Sequence, residues 1–139
     1  MKNQKGMSLI EILIVIALMA IIVTTMGKNI MGRFRSGKIK TTKIKITKLL
    51  DAVKEFEMTC SSSLPEGQDS LQWLVSKPTD LKCPEYPEGG FILVSDLKDA
   101  FDKEMIYRRE NGMPVIISVG LSNGDADSAD AISSADLAK

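Results

Sequence analysis

The sequence predicts an α+β chain, in which a long hydrophobic N-terminal helix continues into a small head with an antiparallel β-sheet. Three observations carry that prediction. An apolar stretch of 21 residues begins at Met7 and contains a single charge, Glu11. Further on, Ile46, Leu49, Leu50, Val53, Phe56 and Cys60 fall on one helical face. Finally, the strand-like runs 105–109 and 113–119 flank Asn111-Gly112, a strong short-range signal for a hairpin turn.

The first element is long enough to cross a bilayer. At about 1.5 Å per residue the apolar stretch makes roughly 30 Å of helix, the thickness of a hydrocarbon core. Lys2 and Lys5 precede it and favour a cytoplasmic N-terminus, against the pull of the basic stretch that follows. An ordinary secretory signal places its cleavage site behind the apolar region, whereas here Gly6 lies in front of it. Glu11 is also out of place, because a carboxylate in lipid costs at least about 2–3 kcal/mol. A simple membrane anchor with Glu11 near the headgroups is the plainer alternative.

Charge is segregated along the chain. Residues 28–48 hold eight Lys and Arg and no acid, while residues 49–139 hold 17 acidic and 8 basic side chains. The formal net charge of zero therefore hides a basic stalk and an acidic head. Because the basic stretch follows a membrane segment, it points to anionic headgroups, and no nucleic-acid partner is expected. The chain has no histidine, and it lacks a glycine-rich phosphate loop or a nucleophile motif. An enzyme is not expected. Cys60 and Cys83 both lie beyond the apolar run, which fits an oxidising compartment and one disulfide; two unrelated buried thiols are the alternative.

Lys5-Gly6-Met7-Ser8-Leu9-Ile10-Glu11 resembles the class III signal of type IV pilins and of type II secretion pseudopilins. The resemblance implies that a prepilin peptidase cuts after Gly6. The same enzyme would methylate the new amine of Met7, which stands where the family usually has Phe. Glu11 then becomes the fifth mature residue and an assembly residue, its carboxylate neutralised by the amine of an adjacent subunit in a helical filament. The expected organisation is a leader at 1–6, a transmembrane and assembly helix at 7–27, an amphipathic stalk at 28–60 and a periplasmic head at 61–139.

The resemblance extends into the head. Lys28-Asn29-Ile30-Met31-Gly32 is similar to a Pro-Asn-Leu-Met-Gly block of major pseudopilins, with Lys28 replacing the proline. Gly27, Gly32 and Gly37 supply weak points in the helix instead. Asp69-Ser70-Leu71-Gln72 reads as a capping box opening a short helix, and Gln68 to Leu74 resembles a Gln-x-x-Leu-x-x-Leu pattern of the family. Tyr86-Pro87-Glu88-Gly89-Gly90-Phe91-Ile92 is close to a Tyr-Pro-Glu-Gly-Gly-Tyr-Ile loop, and residues 91–94 are expected to join the hairpin as a third strand. The family's Asp-Pro-Trp-Gly block survives only as Asp99-Ala100-Phe101-Asp102 and Tyr107.

Near the C-terminus, Asp125, Asp127 and Asp130 alternate with small residues and Ser128, a set of hard oxygen donors that suits Ca²⁺. An EF-hand is excluded, because Asp130 takes the place of its turn glycine and no helices flank the loop. Major pseudopilins bind calcium in a loop at this position, often ending Asp-Asp-Ile; here the end is Asp130-Ala131-Ile132. The implied ligands are Asp125, Asp127, Ser128, Asp130 and the carbonyl of Leu121. The alternative is a metal-free, solubilising tail. Together these readings predict a pseudopilus subunit of the bacterial inner membrane. Its expected partners are the prepilin peptidase, minor pseudopilins, an inner-membrane platform and copies of itself. A type IV pilin for adhesion, motility or DNA uptake is the alternative.

Overall fold

A computed structural model describes residues 6–67 and 69–137, and of Lys28 and Asn29 the backbone only. The chain falls into two units, Met1–Gly37 and Lys38–Lys139. Both contain part of helix α1 (Leu9–Cys60), which is helical through Gly27, Gly32 and Gly37. Ser8 starts the helix: its carbonyl accepts the N–H groups of Glu11 and Ile12 at 2.9 and 3.2 Å. The apolar side chains of the first unit, from Met7 to Met31, are exposed, with none packed in a core of their own chain. Thr24 and Thr25, the polar residues near its end, return their hydroxyls to the carbonyls of Ala20 and Ile21 at 3.0 Å, so neither hydroxyl is left bare on an apolar face.

In the second unit the helix changes character. Ile46, Leu49, Val53, Phe56 and Cys60 are buried along one face, at the spacing read from the sequence, with Leu50 half-buried and Thr42, which that reading did not include, buried one turn earlier. From Ile46 onward they pack with Leu64, Leu71, Leu74, Cys83, Leu97, Tyr107 and Ile116 into the main core. Phe56 sits at its centre, edge-on to Trp73 and Phe91 with ring centroids 6.5 and 5.6 Å apart. Tyr86 packs edge-on to Phe91 and donates its hydroxyl to the carbonyl of Trp73 at 2.9 Å; burial pushes its pKa up.

The sheet has three antiparallel strands in the order β1 (Ile106–Glu110), β2 (Met113–Ser118), β3 (Ile132–Ser133). Asn111 and Gly112 turn the β1–β2 hairpin with φ of 52° and 79°, the left-handed pair that a two-residue turn needs. The third strand is not 91–94, as the sequence reading expected. Gly90 lies so close to the preceding turn that a Cβ there would meet the Val75 carbonyl oxygen at 2.3 Å. The N–H groups of Phe91 and Ile92 are thereby directed to the carbonyl of Leu74, at 2.7 and 3.3 Å, and not to a strand. β3 pairs with β2 instead, and the N–H of Ile116 is taken by the hydroxyl of Ser134, the first residue of the one-turn helix α2 (Ser134–Leu137). The capping box at Asp69 is also corrected. Residues Ser70–Leu74 form a 3₁₀ helix, Asp69 makes no side-chain cap, and the Ser70 hydroxyl donates back to the Gly67 carbonyl at 2.8 Å.

Part of the basic stalk is committed to the head. Lys45 donates to the carbonyl of Lys98 at 2.9 Å, Lys48 pairs with Asp96 at 2.7 Å, and Lys38 lies over the Phe101 ring. Three of the stalk's cations thus hold the 96–101 segment against the helix, a role that the headgroup reading missed. The Lys48 hydrogen bond holds the Asp96 carboxyl below its ordinary value of 3.8. The resulting stability is present above the ordinary value and lost as pH falls through the lower folded pKa. In Lys48→Ala the Asp96 titration midpoint, followed by carboxyl carbon NMR, should move upward.

Cys60, the last residue of α1, and Cys83 are joined by a disulfide, with Cα atoms 4.9 Å apart. The bridge fastens the end of the helix to the loop at Cys83, and both cysteines are buried. Closing a loop of sequence separation 23 is worth on the order of 3 kcal/mol in the chain-entropy treatment. Urea unfolding of a Cys60→Ser, Cys83→Ser double variant in detergent should show a loss of that size.

Candidate functional site

Two regions carry the residues singled out from the sequence, one in each unit. In the first, Gly6, Met7 and Ser8 are exposed and non-helical, directly ahead of α1. The Gly6–Met7 peptide bond is therefore presented as an open chain, the form in which a peptidase takes its substrate. Glu11 follows in the first turn of the helix, where its negative charge is favoured by the helix dipole. Among the described residues Glu11 has no ion-pair partner.

The second region is the connection between β2 and β3, residues 119–131. It is a chain of turns. Ser122 is buried and returns its N–H and hydroxyl to the Val119 carbonyl, and Asn123 and Gly124 adopt left-handed φ of 53° and 94°. The Asp125 carboxylate accepts the N–H of Asp127 at 3.0 Å, and the Ser128 hydroxyl accepts that of Asp130 at 3.3 Å. Ala126 and Ala131 pack on a second apolar cluster of Ile106, Val115, Ile117 and Val119, on the sheet face opposite Tyr107. Asp127 is held by Arg108 of β1, whose Nη1 donates to Oδ1 at 2.8 Å. That hydrogen bond, with the nearby Asp127 charge, raises the Arg108 pKa above its ordinary range.

The donors fit a hard cation in kind: carboxylates, a hydroxyl and carbonyls, with no nitrogen or sulfur. Arg108 already stands in for a cation at one of them. No three acidic side chains converge among the described residues, so a metal would have to draw Asp125, Asp127 and Asp130 closer together. The sequence reading missed Arg108, because nothing local in a strand marks a side chain that pairs 19 positions away.

Comparison with known families decides the identity. The pattern of the family "Type II secretion system (T2SS), protein G" matches residues 29–135, and that of the prokaryotic N-terminal methylation motif matches residues 1–27. The chain belongs to the T2SS protein G family. It is a pseudopilin, a structural subunit of the T2SS pseudopilus, and its methylation motif marks it for prepilin peptidase processing. Among solved structures it is similar to the major pseudopilin of the type 2 secretion system of enterohaemorrhagic Escherichia coli. That match has 21% identity and a TM-score of 0.56, over 76% of this chain and 93% of that one, and it shows the shared fold. No curated protein matches the chain. A pseudopilin with an apolar N-terminal helix is membrane-anchored, with its head facing the periplasm.

Proposed function

We propose that this pseudopilin is cut after Gly6, methylated on Met7 and polymerised into a helical periplasmic filament that helps to move folded proteins outward. The observation that carries the reading is the state of α1 in the single chain. Among the described residues its apolar stretch is exposed and its one carboxylate has no counter-charge. Both needs are met by neighbours. Lipid or adjacent helices cover the apolar side chains, and the Met7 amine of the next subunit neutralises Glu11, which removes two buried charges together and fixes the axial register.

The partners of this reading are the prepilin peptidase and methyltransferase, minor pseudopilins that start the filament, and a platform in the inner membrane. In the C-terminal loop the reading includes calcium. Asp125, Asp127 and Asp130, with Ser128 and the Leu121 carbonyl, would hold it, and its charge would offset their mutual repulsion. The family match to residues 29–135 supports secretion over a type IV pilin for adhesion, motility or DNA uptake. The test is the protein content of the medium from a deletion strain and from the same strain complemented with this chain. Loss of exported proteins on deletion and their return on complementation is the expected result. Unchanged export accompanied by lost surface motility would establish the pilin alternative.

A further inference from the structure

The side of α1 that turns away from its own core carries an unused surface. Ile46, Leu49, Val53 and Phe56 face the core, and at about 100° per residue Lys40 and Ile44 fall on the opposite side, with Lys43 beside them. Ile44 is 69% exposed, and both lysines are exposed. Among the described residues neither lysine is in an ion pair, whereas Lys38, Lys45 and Lys48 of the same helix are engaged with the head. An apolar side chain between two such cations calls for a partner with an apolar floor and an acidic rim.

The head presents that kind of surface elsewhere. An open groove of about 670 Å³ runs along the edge strand β1, lined by Glu66, Asp69 and Glu104 and by Met105, Ile106 and Tyr107. The three acids are exposed and, among the described residues, are in no ion pair. Arg108 also lines the groove, but its guanidinium is turned to Asp127.

We infer that the Lys40, Lys43 and Ile44 face of one subunit docks in the β1 groove of an adjacent copy within the pseudopilus. The inference rests on the polymerisation proposed above and names the surfaces it joins. Ile44 enters the groove over Ile106, and the two lysines meet the acids of its rim. The two surfaces differ, so the contact is head-to-tail. Each subunit offers a groove to one neighbour and a helix face to another, which propagates as an open helix where a two-fold contact would close a pair.

Lipid is the other acidic surface near the stalk, and distance decides against it. Thirteen residue steps separate Gly27 from Lys40, roughly 20 Å of helix. The headgroup layer adds only about 5–7 Å beyond the hydrocarbon core, and charge is screened over about 8 Å at physiological salt. Arg33 and Arg35 remain close enough to serve the membrane. Lys40 and Lys43 do not.

The contact is tested in cells that assemble the filament from the full chain. Two variants, Lys43→Cys and Glu104→Cys, are produced together, each keeping its Cys60–Cys83 bridge. Mild oxidation of sheared filaments should join them into a dimer on a non-reducing gel. Lys43→Cys paired with Glu88→Cys, which lies outside the groove, should give none. Charge reversal in a Lys40→Glu, Lys43→Glu chain should cut filament yield about tenfold or more, because like charges brought together weaken an interface by at least that factor. The processed chain should stay at wild-type level on immunoblots. Adding Glu66→Lys and Glu104→Lys to the reversed chain restores the complementarity and should restore the filaments. Wild-type yield from the reversed chain, with no dimer from the cysteine pair, would overturn the docking and leave polymerisation standing. Filament loss that the added lysines do not restore, again without the dimer, would overturn it in favour of the lipid surface. Absence of filaments from the unmutated chain would overturn the polymerisation reading itself.

Discussion

Glu11→Ala is expected to leave cleavage after Gly6 intact and to abolish pseudopilus filaments. The peptidase acts on an exposed, non-helical segment five residues upstream of Glu11, which the substitution does not alter. Assembly is different. In the filament the Met7 amine would be drawn into an apolar environment. Removing one partner of a buried ion pair leaves the other charge unpaired, at a cost of about 3–5 kcal/mol per contact. A filament repeats that contact at every subunit, so a cost of this size at each step stops growth. Sheared or overexpressed filaments, scored by electron microscopy beside immunoblots of the processed chain, give the readout. Filaments at wild-type level from the variant would show that the pair does not set register.

Asp99→Ala should be the most damaging single change in the head. Asp99 is 3% exposed, and its two carboxylate oxygens carry three hydrogen bonds. Oδ1 accepts the N–H groups of Phe101 and Lys103 at 2.8 and 3.0 Å, and Oδ2 accepts the Ser118 hydroxyl at 2.6 Å. The loop that follows is built on this side chain, and Gly120 is held to glycine because a Cβ would come within 2.5 Å of Oδ2. Thr42 of α1 accepts the adjacent Ala100 N–H at 3.2 Å, so the same loop fastens the helix to β2. Alanine would strand two N–H groups and a hydroxyl, and a loss of roughly 3–5 kcal/mol follows from the usual cost of such donors. That is a large part of the stability of a small domain. Asp99→Asn keeps an acceptor for the N–H groups and should lose much less. Urea unfolding separates the two variants, and a loss below about 1 kcal/mol for alanine would show that the loop holds without Asp99.

The parts of this chain that were legible are those whose signal is local. The apolar stretch, the buried face from Ile46 to Cys60 and the Asn111-Gly112 turn each write their structure into neighbouring residues. The Asp99-Ala100-Phe101-Asp102 block is organised around the Asp99 carboxylate, which takes the N–H groups of Phe101 and Lys103 and the Ser118 hydroxyl. What escaped is non-local. A two-residue strand such as β3 has no period to read, and its place depends on Ile117 and Ser118 some 15 positions earlier. Residues 91–94 have strand-like composition, but the close approach of Gly90 to Val75 redirects their donors. Lys45 and Lys48 look like headgroup cations in sequence and become clamps only when the chain brings residues 96 and 98 beside them. At the sites, Gly6, Met7 and Glu11 were readable as a motif. Arg108 was not, because its partner lies 19 positions away in the following loop.

Processing at Gly6 comes before every later step of assembly. The intact mass of the chain extracted from membranes of a strain with its own prepilin peptidase measures this directly. The expected mass is that of a mature protein beginning at Met7, carrying one added methyl group on the new amine, with Cys60 and Cys83 oxidised. Extraction from a peptidase-deficient strain should return the same chain with residues 1–6 still attached. A mature start beyond residue 20 would mean removal of the apolar helix by an ordinary signal peptidase, and the assembly role of Glu11 would fall with it.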